Sequence, residues 1–369
     1  MRVGVLLEQR LGPVPGGTGR YAGEVAAALA RRPDVDVTGW VAWHRDLSAA
    51  RTTGVRGPRR LPLPRRALVL AWERGRGPAP RGGLDVLHAP TLLAPPRRGR
   101  PLVVTVHDAV PWTHPETLTP RGVRWHRAMA ERVARTADAV VVPTHAVRRA
   151  LAEHVRLSRV EVVGEGATPE LAAPPPDADA RRERLRLPRS GYLLSLATIE
   201  PRKGLDVLLA ALAEPAAPDL PLLVAGQSGW GGLDPLGAAR ELGLADGRVR
   251  LLGRMTDADL AVALADATAL VVPSRAEGYG LPVLEGMAAG TPVVTSDDPA
   301  LVEVGGSATR TAPVGDPAAL ARVMAEVVGD PALRSAMVSA GRERAAATTW
   351  DGAAASLVEL YRTLSGVTR

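Results

Sequence analysis

Apolar residues in this chain follow two alternating rhythms. Short unbroken runs, such as Val3-Gly4-Val5-Leu6-Leu7 and Ala139-Val140-Val141-Val142, give way to longer segments with apolar positions every three or four residues. The short runs read as strands buried on both faces, and the longer segments as helices with one apolar side. This alternation continues from the first residues to the last. It predicts an α/β protein built on parallel sheets with helices on both faces.

In the first half the pattern predicts strands at residues 3–7, 35–43, 84–88, 102–106 and 139–142. A helix is expected over 20–31, and another opens at Thr119-Pro120, with Thr as cap and Pro at the first helical position. A third starts near His145. Residues 44–83 are rich in Arg, Pro and Gly with little periodicity, and read as a long, partly mobile surface segment. In the second half strands are expected at 192–197, 222–225, 249–252, 269–272 and 292–295. Helices are expected at 205–212, 257–264 and 281–289, then after Asp316, with a last one from Trp350. Residues 166–190, which contain Pro174-Pro175-Pro176 and a charged Arg-rich run, are the best linker candidate.

A length of 369 residues exceeds what one core usually serves, so two domains are expected. We assign residues 1–172 to the first and 173–349 to the second. The last segment, 350–369, lies beyond the sheet elements and is expected to pack back on the first domain. No run reaches the roughly 18 apolar residues of a membrane span, and the start reads as a strand, not a signal peptide. There is no Cys, which excludes disulfides and thiolate metal sites and is compatible with a reducing cytoplasm.

Charge is unevenly distributed. Residues 1–170 hold 27 Arg against 15 Asp and Glu, a net +12, while the remainder nets −5. A basic first half suits an anionic membrane surface or a phosphate-bearing ligand. Scarce aromatics and the lack of a nucleic-acid motif argue against DNA or RNA. On the helix opening at Thr119, Trp125, Met129 and Val133 recur at four-residue spacing beside Arg121, Arg124, Arg132 and Arg135. Such a helix suits a membrane surface; the alternative is core on one side and solvent on the other.

The chain has no Phe or Asn, one Ile and one Lys, as expected of a gene avoiding A/T-rich codons. Lys203 therefore stands out, in Thr198-Ile199-Glu200-Pro201-Arg202-Lys203-Gly204. A compact ammonium acting on phosphate is a reason to retain it, and chance retention is the alternative. A second stretch, residues 274–285, follows an apolar run and leads into a helix with Pro282 at its start. Its Gly278, Tyr279 and Gly280 form the turn, and Glu277 and Glu285 flank it. A Gly-containing loop entering a helix offers amides and a positive dipole end to phosphate, and the carboxylates could accept from sugar or ribose hydroxyls. The alternative is an ordinary turn with a capping Glu.

Residues 12–19, with glycines at 12, 16, 17 and 19, form a Gly-rich loop that fits neither the dinucleotide fingerprint nor the P-loop. It lets backbone approach a ligand, or is a plain turn. His107-Asp108 follows a strand at the carboxyl edge where open α/β sheets bind ligands. The other histidines lack metal-ligand spacing, so no metal site is expected. The Asp-x-Asp pairs Asp34/Asp36, Asp177/Asp179 and Asp257/Asp259 read as solvated or capping residues, and no Gly-x-Ser-x-Gly elbow points to a serine hydrolase.

Together these stretches resemble the retaining nucleotide-sugar glycosyltransferases of family 4. The resemblance runs in order through Gly16-Gly17-Thr18-Gly19-Arg20-Tyr21, Val106-His107-Asp108 with Pro111 and His114-Pro115-Glu116, and Ala137-Asp138-Ala139-Val140-Val141-Val142-Pro143-Thr144. It continues through residues 198–204, the Glu277/Glu285 pair, and a closing helix from Trp350 to Tyr361. It implies the GT-B architecture, two Rossmann-like domains facing a cleft with the C-terminal helix returning to the first.

The resemblance also implies roles. Arg202 and Lys203 would grip the donor diphosphate and stabilise it as leaving group. Glu277, with Gly278, Tyr279, Gly280 and Leu281, would orient the donor sugar and distal phosphate. Glu285 would accept from the ribose, and Arg254 and Met255 would flank the base. Gly16, Gly17 and Asp108 would serve the phosphate and acceptor side, and His107 would lie near the reacting carbon. No cofactor or obligatory metal is implied. One departure is Thr198, where many members carry Arg; the Arg beside Lys203 matches a subgroup that often includes mannosyl- and rhamnosyltransferases. That favours GDP-mannose, with UDP- or dTDP-sugars as alternatives. The expected acceptor is a glycan, lipid-linked or small-molecule hydroxyl at the inner membrane face. Two competing readings are a GT-B sugar-nucleotide epimerase and a non-catalytic sugar-nucleotide-binding module.

Overall fold

The structure, a computed structural model, describes residues 1–367. The chain divides into two units. The first comprises Met1–Thr113, Thr119–Glu165 and the chain from Thr349 onward; the second comprises His114–Leu118 and Gly166–Thr348.

The first unit carries a seven-stranded sheet of β1 (Arg2–Leu6), β2 (Asp36–Trp43), β3 (Arg56–Pro64), β4 (Val86–Ala89), β5 (Leu102–Thr105), β6 (Ala139–Val142) and β7 (Val160–Val162). All pairings are parallel, in the order β3-β2-β1-β4-β5-β6-β7. The second unit carries a six-stranded parallel sheet of β8 (Leu193–Leu196), β9 (Leu222–Ala225), β10 (Val249–Gly253), β11 (Ala269–Val272), β12 (Val293–Ser296) and β13 (Thr309–Ala312). Its order is β10-β9-β8-β11-β12-β13. These are two Rossmann-like α/β units. The central strands are short and almost wholly apolar because helices cover both faces. All four residues of β11 are buried, each Val or Leu contributing about 1.5–3 kcal/mol.

The final helix, Trp350–Ser365, packs within the first unit. Arg31 donates to Asp351 through both Nε and Nη2, and Trp350 meets Tyr21 with ring centroids 5.9 Å apart. Positions 368 and 369 of the expected terminal segment lie outside the described residues.

Four expectations need correction. Residues 44–83 are not a structureless segment, because β3 and a helix, Arg65–Glu73, lie within them. β3 is an edge strand whose Arg and Pro residues suit an exposed edge and hide its period; the helix shows only Leu68 and Trp72 to the core. The first helix begins at Gly16, not Arg20, so Gly16 and Gly17 occupy its first turn. Gly has poor helix propensity, and the pattern understated the element. Residues 166–190 are no free linker: Ala178–Leu185 is helical, and Arg181 and Arg182 pair with Asp259 and Asp266 at 2.6 Å. Asp259 is accordingly buried in an ion pair, neither solvated nor a cap; the cap of its helix is Thr256.

Candidate active site

Two loops meet at the carboxyl edge of the second sheet, one after β8 and one after β11, where the strand order reverses. Such a reversal opens a crevice in which open α/β sheets bind ligands. The first loop turns through Pro201–Lys203 and a left-handed Gly204 (φ +64°) into the helix Leu205–Ala213. A Cβ on Gly204 would lie 2.1 Å from the Pro273 carbonyl oxygen, so only glycine permits the two loops to approach. The Arg275 amide donates to the Arg202 carbonyl at 2.8 Å and fastens them.

Arg202 and Lys203 then converge on Glu277. Arg202 Nη1 donates to Glu277 Oε2 at 2.8 Å and Lys203 Nζ to Glu277 Oε1 at 2.5 Å, while Ser274 Oγ adds a third bond at 2.8 Å. Arg202 also donates twice to Glu200 Oε1, at 3.1 and 2.8 Å. The Arg202 and Lys203 side chains are 16% and 15% exposed against 6% for Glu277, so the cations lie nearer solvent than the carboxylate they share.

Burial pushes the Glu277 carboxyl up, but the Lys203 and Arg202 charges, with the Lys203 and Ser274 hydrogen bonds, outweigh it and hold the group at about 2. Glu200 goes the other way, because burial outweighs the same two charges. Asp298 accepts from the Glu277 amide at 3.3 Å and caps the helix Pro299–Gly305 through the Ala300 and Leu301 amides. Burial, with the Glu277 charge adding to it, raises Asp298 to about 6 against those amide bonds.

Beyond Glu277 the chain passes through buried Gly278, Tyr279 and Gly280 into the helix Leu281–Ala289. Gly280 is left-handed at φ +95°. Glu285 stands one turn in and is buried at 3% exposure. Arg254 and Met255 follow β10 on the same sheet, with β9 between them and β8; Arg254 is exposed and Met255 half-buried. The structure therefore joins Arg202, Lys203 and Glu277 directly.

In the first unit, His107 follows β5. Its Nε2 lies 2.8 Å from the Pro90 carbonyl and its Nδ1 3.6 Å from Glu165 Oε1, and Tyr21 meets the ring edge-on at 4.7 Å. Burial opposes its charged form, but Glu165 and the Pro90 carbonyl outweigh it and raise the pKa. Asp108 Oδ1 accepts from the Val110 amide at 3.1 Å and so starts the short helix Val110–Thr113. Gly16 and Gly17 are exposed at the start of their helix. The same unit holds a buried chain of hydrogen bonds: Tyr21 Oη to Thr105 Oγ1 (3.0 Å), Thr105 Oγ1 to His88 Nε2 (2.8 Å), and Tyr361 Oη to His88 Nδ1 (2.6 Å). Burial, with the nearby His107 charge, depresses His88 to about 3, leaving it neutral. Among the described residues no three His, Cys, Asp or Glu side chains gather as a metal site.

Two family profiles match this chain in succession: one described as glycosyltransferase family 4, over residues 15–171, and one as glycosyl transferases group 1, over residues 177–344. The chain belongs to glycosyltransferase family 4. Among its relatives is an O-antigen chain mannosyltransferase B of Escherichia coli, 29% identical over 83% of this chain and 82% of that protein. A phosphatidyl-myo-inositol mannosyltransferase of Mycolicibacterium smegmatis is 37% identical over 45% of this chain, but the match spans only 43% of its own length. The fold matches that of Anabaena HepE, solved with UDP and glucose, at a TM-score of 0.77 and 19% identity, over 99% of this chain and all of that one. The two Rossmann-like units are those of a GT-B glycosyltransferase.

Several residues in the sites of this family 4 glycosyltransferase escaped the reading of its sequence. Glu200 sat inside a stretch already singled out, and Asp298-Pro299 carried a helix-cap signature. Glu165, Thr105 and Tyr361 had no local signal, because each acts through a partner distant in the chain.

Proposed function

We propose that this chain transfers a hexose from a nucleotide-diphosphate sugar to an acceptor hydroxyl, with retention of anomeric configuration and without an obligatory metal. GDP-mannose is the favoured donor, and UDP- or dTDP-sugars are the alternatives. The observation carrying the reading is the convergence of Arg202, Lys203 and Glu277 at the switch point of the second sheet. Two relatives that are mannosyltransferases by name support the choice of sugar.

The two cations receive the diphosphate as charge builds on it, which lowers the barrier by stabilising the leaving group. As they turn to phosphate, Glu277 is freed to accept from sugar hydroxyls. The bond between C1 and the diphosphate breaks, a bond from C1 to the acceptor oxygen forms on the same face, and the acceptor proton passes to the departing diphosphate. Glu285 and the region of Arg254 and Met255 hold the nucleoside, Gly16, Gly17 and Asp108 serve the phosphate and acceptor side, and His107 serves the reacting carbon. The acceptor is a glycan, a lipid-linked glycan or a small molecule on the cytoplasmic side of a membrane. The exposed Arg121, Arg124 and Arg135 of the helix Pro120–Thr136 face its anionic surface.

The test incubates the protein with GDP-mannose, UDP-glucose and dTDP-rhamnose, each with and without acceptors, and follows nucleoside diphosphate release and product mass. Acceptor-dependent release is expected. An isomerised sugar from donor alone would move the assignment to an epimerase, and inertness toward every donor would overturn it.

A further inference from the structure

Glu165 lies just after β7 with a side chain only 3% exposed, and it faces His107. The Pro90 carbonyl can only accept, so at 2.8 Å from His107 Nε2 it fixes a proton on that nitrogen. Nδ1 faces Glu165 Oε1 at 3.6 Å. In a neutral ring with its proton on Nε2, Nδ1 presents a lone pair, and a lone pair turned to a buried carboxylate is repelled. A second proton converts that contact into an ion pair with the buried carboxylate.

The other groups around the ring agree. Tyr21 is un-ionised and meets it edge-on. Asp108, the next residue, adds negative charge. His88 carries no opposing charge, because it is neutral and bonded to Thr105 and Tyr361.

We propose that Glu165 is a positioning residue that holds His107 as a fixed imidazolium, both of its N–H groups occupied by the protein. His107 then supplies a stationary positive charge to the reaction and is not the base that deprotonates the acceptor. The protonation state follows from this geometry alone; its service to the reaction rests on the proposed transferase activity.

The test is ¹⁵N NMR of histidine side chains in the full-length protein, with His107→Gln to assign the signal. The wild type should show His107 with both nitrogens protonated at about pH 6.5, where an ordinary histidine is half neutral, and Glu165→Gln should shift its titration below that of an ordinary histidine. Glu165→Asp should restore part of the shift. A neutral single-tautomer His107 in the wild type would overturn the proposal without any variant. So would a titration that Glu165→Gln leaves unmoved. The alkaline limb of kcat/KM should move to lower pH in Glu165→Gln. If the NMR result stands but that limb does not move, the fixed charge stands and its service to the reaction is refuted.

Discussion

Lys203 Nζ donates to Glu277 Oε1 at 2.5 Å across 74 residues of sequence, and Arg202 holds the other oxygen of the same carboxylate. The chain's single lysine is thus committed to a buried acid at a sheet edge, where an ordinary surface lysine would be solvated. Lys203→Ala should lower kcat/KM by about 100-fold or more, since the leaving diphosphate loses a cation, while Arg202 and Ser274 still satisfy Glu277. Steady-state kinetics beside a thermal melt separates the two effects. Unchanged turnover would remove Lys203 from the chemistry.

Glu277 titrates near 2 against an ordinary 4.5. Its contribution is therefore complete above about pH 4.5 and disappears as pH falls toward 2, at most about 3 kcal/mol. Glu277→Gln should be less stable than wild type at pH 7, and the two should converge near pH 2, as read by urea denaturation across pH.

Asp298 has the opposite sign. Raised from 3.8 to about 6, it favours the folded state fully below pH 3.8 and loses that contribution as pH rises through 6. Asp298→Asn should flatten the wild-type decline in stability between about pH 4 and 6, by the same denaturation series. An unaltered slope would place the pH dependence elsewhere.

The approach of the two loops depends on a missing side chain. Gly204→Ala would set a Cβ 2.1 Å from the Pro273 carbonyl in a left-handed conformation, costing at least about 2 kcal/mol and displacing Lys203 from Glu277. A lower unfolding midpoint together with lost turnover is expected. Normal activity would show that the loops need not touch.

In the first unit, Tyr361→Phe deletes the bond to His88 and leaves a buried imidazole nitrogen without its hydrogen-bond partner, at about 1–3 kcal/mol. The melting temperature should fall without any change at Lys203.

These cases show what the sequence could carry. The buried strands were legible because Val and Leu runs such as 269–272 admit no other reading in a two-domain chain. Lys203 and Glu277 were legible because each sits in a short stretch of distinctive residue types. β3 was not, since its period is masked by Arg and Pro at a sheet edge. The helix Ala178–Leu185 was missed because charge pairing holds it and no residue of it is buried. Glu165 and Tyr361 depend on partners 58 and 273 positions away, Glu165 on His107 and Tyr361 on His88, a relationship no local pattern records.

The central claim, that Arg202 and Lys203 form a diphosphate grip, is tested most directly by calorimetric titration of GDP, UDP and dTDP into wild type and Lys203→Ala. The account predicts that the wild type binds at least one of the three and that the variant binds it at least about 10-fold more weakly while unfolding at a similar temperature. Equal affinity in the two proteins, or no binding of any of the three nucleotides to the wild type, would contradict it.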